Sequence, residues 1–363
     1  MEYWKGAVKY LKKKNLEPDP SKNIQFVNND GTLRIRDILH ILKSDNPDEI
    51  ESLYKQARDV CDENYGRSIY FRGLIEVTNY CKNNCYYCGI RAQNKCINRY
   101  RLNKDQIRAC CDTGYRIGLR TFVLQGGEDP FLETGMLADI VQDIRKKFPD
   151  CAITLSFGEK TREEYQTLFD AGVNRYLLRH ETANNAHYGK LHPDQMSLSN
   201  RKKCLYILKE IGFQTGAGLM VGSPYQTWEM LIEDLCFLKE LEPQMVGIGP
   251  FIPHKDTPFG NFKSGSVSLT LKMLALCRII LPKALIPATT ALGSVDPSGR
   301  EKAFGAGANV VMPNLSPLEI RKDYSLYDNK LYTGDEAGEY VASLADRIER
   351  AGYIPDFSRG DHS

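Results

Sequence analysis

Residues 79–89 read Asn-Tyr-Cys-Lys-Asn-Asn-Cys-Tyr-Tyr-Cys-Gly, which sets Cys81, Cys85 and Cys88 at a C-x3-C-x2-C spacing with an aromatic, Tyr87, directly before the last. Thiolates three and four residues apart converge when the backbone curls, so one loop can wrap one cubane. A 4Fe–4S cluster normally takes four thiolates. Three leave one iron with an open position, much as a catalytic zinc keeps one. The alternatives are a zinc site or three core cysteines. Zinc fingers want paired C-x2-4-C units with a distant second half, and no such half is present.

The other eight of the eleven cysteines support a single cluster. Cys61, Cys110, Cys111, Cys204, Cys236 and Cys277 fall on expected helices as small hydrophobes, Cys151 begins a strand, and Cys96 follows the cluster loop. Local spacing supports no second cluster, which argues against sulfur insertion from a sacrificial sulfide. So many cysteines suit a reducing cytosol better than a disulfide framework, and a cytoplasmic location is expected. The formal charge of +2 predicts no nucleic-acid footprint. No apolar run reaches transmembrane length, and residues 1–15 lack the features of a signal or transit peptide.

Hydrophobic periodicity divides the 363 residues into three parts. Residues 1–66 form a helical extension: an amphipathic helix over 2–13, a loop, then two helices over 34–66 broken at Asn46-Pro47. Residues 67–320 alternate strand and helix. Strands are expected at 69–78, 121–125, 152–158, 175–181, 214–221, 245–252, 286–292 and 308–313, with helices at 103–117, 134–148, 161–171, 197–211, 226–240, 268–281 and 297–306. Residues 321–363 supply a closing helix over 336–351. The expected fold class is α/β, a TIM-type (β/α)8 barrel with an N-terminal helical extension. An open doubly wound sheet would carry a glycine fingerprint after its first strand, and here the cysteine loop stands in that place.

Active sites of such barrels lie at the C-terminal strand ends, and useful residues collect there. Gln125-Gly126-Gly127-Glu128 puts two glycines where backbone must approach a ligand, or else makes a plain turn with Glu128 as a helix-start charge. Arg179 and Glu181 are two apart on one strand and so share a face, as do Thr154 and Ser156. The charged pair suits a polar cavity or a structural ion pair. Arg201 opens a helix and could fork onto a carboxylate. Met220 suits either an adenine or the core, and only one of Thr289 and Thr290 can point inward. Tyr324 and Tyr327, three apart, share one face of a short helix or turn. His180 is expected in the core, and His187 and His192 on the surface.

The cysteine loop and its flanks resemble the radical SAM superfamily, whose open iron is chelated by the amino and carboxylate groups of S-adenosylmethionine (SAM). Over residues 65–330 the chain resembles the HydE maturases of FeFe-hydrogenase, through residues 77–88, 124–130, 176–183, 215–222, the Gly249-Pro250-Phe251-Ile252-Pro253-His254 string, 286–291 and 307–314. Methylornithine synthase and biotin synthase are the nearer relatives of that family.

The resemblance implies a radical SAM barrel with one 4Fe–4S cluster on Cys81, Cys85 and Cys88. It implies SAM held by Tyr87, Gly127, Glu128, Ser156, Glu181, Arg201 and Met220. The substrate-side residues it implies are Gln125, Thr154, Arg179, Thr289, Thr290, Tyr324 and Tyr327. The implied substrate is a small organometallic iron–cysteine complex bearing CO and cyanide, made by the maturase HydG. A 5′-deoxyadenosyl radical would attack its cysteine sulfur on the way to the diiron precursor of the H-cluster. Handover to the scaffold GTPase HydF, and reduced ferredoxin or flavodoxin as electron donor, are implied likewise. Other readings are a radical mutase of an amino acid and a non-catalytic iron–sulfur carrier. The chain departs from the family in two places: no cysteines over 330–343 for an accessory cluster, and Gly126 where a serine is common.

Overall fold

The computed structural model describes residues 25–331 and 337–362; the helix expected over 2–13 lies outside them. Two helices come first, α1 (Ile35–Lys43) and α2 (Pro47–Tyr65). They part where the Asn46 side chain accepts the Asp48 N–H at 3.0 Å and Pro47 occupies the first turn. The remaining elements are β1 (Ser68–Phe71), β2 (Gly73–Thr78), α3 (Lys104–Arg116), β3 (Thr121–Gly126), α4 (Thr134–Lys147), β4 (Ala152–Ser156), α5 (Arg162–Asp170), β5 (Arg175–Leu177), α6 (Asn185–Leu191), α7 (Leu198–Ile211), β6 (Gln214–Val221), α8 (Trp228–Leu241), β7 (Met245–Pro250), α9 (Val267–Ile280), α10 (Thr290–Val295), α11 (Gly299–Gly305), β8 (Val310–Val311), α12 (Leu318–Arg321), α13 (Ala337–Arg350) and β9 (Ile354–Asp356).

Strands β2 to β7 make one parallel sheet in sequence order. β2 and β7 are buried at every position, as a sheet covered on both faces requires. Past β7 the ladder gives way to single parallel bridges, Met245 to Leu285, Pro287 to Val310 and Leu74 to Asn314. Backbone bonds therefore run on from stave to stave, but the last two are short.

The strand expected over 286–292 is the main correction. Pro287 has no N–H to give a ladder, and the Thr289 hydroxyl caps α10 by accepting the Leu292 N–H at 3.4 Å. Helix capping thus overrides the β-propensity of Thr289 and Thr290. The strand expected over 175–181 stops at Leu177, and the one over 308–313 shrinks to β8.

The C-terminal segment does more than supply a closing helix. After α13 the chain adds β9 in parallel to β1, pairing Ser68 with Ile354 and Tyr70 with Asp356. It then crosses the N-terminal end of the strands. There Arg175, at 0% exposure, donates to the Arg359 carbonyl (2.9 Å), the Gly360 carbonyl (3.1 Å) and Asp361 (2.6 Å). Thr121 donates to the Arg359 carbonyl at 2.8 Å and Arg72 to that of Gly360 at 3.2 Å. The tail closes the foot of the ring.

Candidate active site

The cysteine loop leaves β2 at the opposite end. The Lys82 N–H bonds the Glu128 carbonyl at 2.8 Å and the Gly127 N–H bonds the Thr78 carbonyl at 3.1 Å, so the loops after β2 and β3 are stitched together. A Cβ on Gly127 would lie 2.1 Å from the Tyr80 carbonyl oxygen and 2.7 Å from the Cys81 Cβ, which only glycine avoids. Gly126 is confined too: a Cβ there would meet Thr78 at 2.8 Å and Phe157 at 2.9 Å. A serine at this position would require those side chains to shift.

All three cysteines are free thiols. Burial raises the pKa of each, Cys88 to about 12, and in Cys85 and Cys88 the neighbouring thiols add to it. The three sulfurs thus share one electrostatic environment, and binding iron there must release their protons. Among the described residues no three His, Cys, Asp or Glu side chains gather about a single-ion centre. A cubane asks less, because each thiolate binds its own iron.

Beside the loop lies a chain of charges. Arg201 reaches Glu159 at 2.6 Å and Glu128 at 3.9 Å, and donates to the Arg179 carbonyl at 3.3 Å. Burial works against its charge, but Tyr188, Glu159 and Glu128 outweigh burial and push its pKa up. Arg179 pairs with Glu181 at 3.0 Å. The sequence places these two on one face by strand alternation; the contact exists, but the strand has already ended and Glu181 sits at φ 64°. Gly158, at φ 71°, lets Glu128 pack against its backbone. Met220 is buried with Leu191, Phe251 and Phe259, with Tyr86 and Tyr87 against them.

Within the ring, Thr154 is 2% exposed and its hydroxyl has no hydrogen-bond partner, and neither has Arg179 Nε. Gln125 and Ser156 are half-buried at the ends of β3 and β4, where they are register partners. The Thr289 hydroxyl comes 3.2 Å from where a Gly249 Cβ would stand, at the end of β7. Thr290 is half-buried at the start of α10. Tyr324 is 3% exposed and Tyr327 half-buried, on an irregular segment after α12 rather than on a short helix.

The histidines need the clearest correction. His187 and His192, expected on the surface, are 0% and 1% exposed. Residues 185–191 form α6, which the sequence does not announce because Asn185, His187 and Lys190 interrupt its apolar period. His192 Nδ1 donates to the Tyr188 carbonyl (3.1 Å), so its Nε2 accepts from the Tyr87 hydroxyl (3.2 Å); burial holds it neutral, with a pKa near about 3. It fixes the aromatic of the cysteine loop.

His180 is in the core as expected, and it is also paired. Its Nδ1 accepts the Gly218 N–H at 3.3 Å, which turns Nε2 toward Asp234 at 3.3 Å. Both side chains are 0% exposed, and Asp234 also accepts the Ala183 N–H at 2.5 Å. Burial lowers the His180 pKa to about 3 and raises that of Asp234 to about 8. The pair brackets the turn carrying Glu181. Asp234 sits mid-helix, and nothing local in the sequence marks it.

The residues fit the group that the cysteine spacing implies. Three thiols share one loop, a glycine cradle abuts Cys81, and Thr154 Oγ1 and Arg179 Nε are buried without a hydrogen-bond partner. A cavity of 490 Å³ is lined by Lys82, Gly127 and Glu128, and a 1590 Å³ groove runs along α5, α7 and α8; neither is lined by Cys81, Cys85 or Cys88.

Comparison with known proteins places these features in context. The radical SAM superfamily matches residues 75–238. The FeFe hydrogenase maturase subunit HydE of Thermotoga maritima is 47% identical over 84% of this chain and 87% of its own. The 3-methylornithine synthase of Methanosarcina acetivorans is 31% identical over 88% of this chain and 89% of its own. Among solved structures, methylornithine synthase (PylB) superposes with a TM-score of 0.78 at 28% identity, covering 89% of this chain and 94% of that one. The maturase HydG superposes with a TM-score of 0.80 over 98% of this chain and 80% of its own; at 20% identity it attests the fold alone.

Proposed function

The chain belongs to the radical SAM superfamily and, within it, to the HydE maturases, and from that premise we propose that it acts on an iron–cysteine complex during FeFe-hydrogenase maturation. When bound, the 4Fe–4S cluster and SAM supply a one-electron cleavage of the sulfonium that yields a 5′-deoxyadenosyl radical. Cys81, Cys85 and Cys88 hold three irons and leave the fourth to SAM. Glu128, with the Gly127 backbone, receives the amino group, and Arg201 faces the carboxylate as a fork. Ser156, Glu181, Met220 and Tyr87 would complete the hold on the rest of SAM. The reading is carried by the three-thiol loop that leaves β2, together with two buried polar atoms that have no hydrogen-bond partner, Thr154 Oγ1 on β4 and Arg179 Nε just past β5.

The substrate lies deeper, against Arg179, Thr154 and Gln125 on one side and Thr289, Thr290, Tyr324 and Tyr327 on the other. An anionic complex with CO and cyanide ligands would draw on the half-buried Arg179 guanidinium and on the Thr154 hydroxyl, which is desolvated. HydG as source, HydF as recipient and reduced ferredoxin or flavodoxin as donor complete the proposed setting. Reaction should be run anaerobically with dithionite, SAM and the iron complex. An adenosyl adduct on the cysteine sulfur is expected; 5′-deoxyadenosine with hydrogen abstracted from lysine would replace this reading by the mutase one, whose support is the lower, 31% identity to 3-methylornithine synthase. Absence of SAM cleavage would leave only an iron–sulfur carrier.

A further inference from the structure

Residues 322–331 cross the mouth of the ring and are tied to the cysteine loop, to the loop after β7 and to α10. The Gly89 N–H, one residue past Cys88, bonds the Leu326 carbonyl at 2.9 Å, and Asn79 donates to the Asp323 carbonyl at 2.8 Å. The Asp328 N–H bonds the Pro253 carbonyl at 3.0 Å while its carboxylate accepts the Lys255 N–H at 2.7 Å. The Leu331 N–H bonds the Ser294 hydroxyl at 3.0 Å. Gly89 is pressed so closely that a Cβ would stand 2.2 Å from the Ser325 carbonyl oxygen.

Beneath these backbone ties is one buried ion pair. Glu76, on β2 five residues before Cys81, is 0% exposed. One of its oxygens takes Lys330 Nζ at 2.5 Å and the other takes Asn314 Nδ2 at 2.9 Å. Lys330 Nζ also donates to the Tyr324 carbonyl at 2.8 Å and stands 4.7 Å from the centre of the Tyr324 ring. Desolvating a carboxylate and an ammonium is costly, and apolar packing would commonly serve stability as well. A pair retained here, between the strand that carries the cysteine loop and the segment that carries two tyrosines, sets geometry. Each of its bonds ends on one of those two elements or on the stave between them.

We propose that Glu76 and Lys330 are positioning residues: a latch that seats residues 322–331 across the mouth and fixes Tyr324 and Tyr327 against the substrate, so that cluster loop and substrate wall share one anchor. This rests on the reading of the mouth as a radical SAM site. Neither residue touches SAM or the reacting atoms in this assignment; Lys330 acts through Tyr324.

The test uses Lys330→Met, Glu76→Gln and the double variant of the full chain, with Lys330→Arg as the conservative control. In the metal-free protein, hydrogen exchange at the amides of Gly89, Asp328 and Leu331 should quicken by about tenfold or more in Lys330→Met, with exchange in β3 and β4 unchanged, and Lys330→Arg should restore most of the protection. The double variant should be no worse than the worse single one. In the reconstituted enzyme, SAM cleavage without substrate should stay within about twofold, whereas KM for the iron carbonyl–cyanide–cysteine complex should rise by about tenfold. Unchanged exchange at the three amides, or additive effects in the double variant, would overturn the latch. So would SAM cleavage that falls with KM unmoved. Should Lys330→Met not fold, Glu76→Gln and Lys330→Arg carry the same comparison. Wild-type protein without SAM cleavage would sink the radical SAM reading, while the exchange experiment would still decide the latch.

Discussion

The two ends of the strand ring treat their arginines in opposite ways, one fully buried and the other half-buried. At the foot, Arg175 is 0% exposed and its guanidinium is filled by the chain's own tail, through two carbonyls and Asp361. At the mouth, Arg179 meets Glu181 and one carbonyl, and its Nε, like the Thr154 hydroxyl, has no hydrogen-bond partner. Leaving such groups unmet is expensive. Where the tail is at hand the chain meets nearly all of them, with Arg72 Nε the exception at the foot. Where none is at hand, three thiols and a glycine cradle lie beside them. The foot satisfies its buried polar groups from within the chain, and the mouth is where we propose that SAM and substrate bind.

That contrast can be broken most directly at the cysteines. Cys85→Ala should take the chain from about four irons to none and abolish SAM cleavage, while the melting temperature of the metal-free protein stays near wild type. Iron content and 5′-deoxyadenosine on the same sample decide it; retained cleavage would remove Cys85 from the ligand set. Next comes an exchange of roles between the two arginines. Arg175→Met should cost about 3–5 kcal/mol in denaturant unfolding, because Asp361 and the tail lose their partner, with cleavage per folded molecule unchanged. Arg179→Met should leave stability within about 1 kcal/mol and raise the substrate KM by about ten- to a hundredfold, the worth of a charge-assisted bond. Equal stability losses at both sites would erase the distinction.

A smaller effect sharpens the picture behind the mouth. Asp234→Leu removes the acceptor of the Ala183 N–H and the partner of His180, so the turn at Glu181 loosens. KM for SAM should rise by about five- to tenfold with less change in kcat, read from initial rates at saturating dithionite. The smallest effect belongs to pH at the foot. Burial raises the Asp361 carboxyl, but hydrogen bonds from Arg359 and Arg175 more than offset this and its pKa is lowered overall. A depressed carboxylate contributes stability that is fully present above its unfolded pKa, about 3.9, and is lost as pH falls through the folded value. Exchange protection of the tail should therefore hold at pH 5 and fall below about pH 4. Protection lost already at pH 6 would point to another group.

Much of the site was legible because its signals are local. The C-x3-C-x2-C spacing, the double glycine before Glu128 and the position of Arg201 at a helix start all lie within single loops, and the structure brings them together. Arg179 and Glu181 meet as expected, although for a different reason: a left-handed turn at Glu181 takes over where the strand stops. The illegible parts depend on partners far apart in sequence. His187 and His192 look like surface residues until α6 folds beneath Pro224 and Tyr87. Thr289 and Thr290 read as strand because β-branching speaks for a strand, whereas the cap at Thr289 depends on the Leu292 N–H of a helix that the apolar pattern does not mark.

By itself the sequence determined the cysteine loop and the order of the β/α units through β7, with their parallel sheet, since short-range spacing and hydrophobic period dictate these whatever the rest of the chain does. Only the tertiary structure decided which buried charges were met and which were left open. Lys330 finds Glu76 across 254 positions and Asp361 finds Arg175 across 186, and no period or motif spans such distances. Desolvation is a property of the folded chain, so the difference between the two strand ends exists only once the chain has folded.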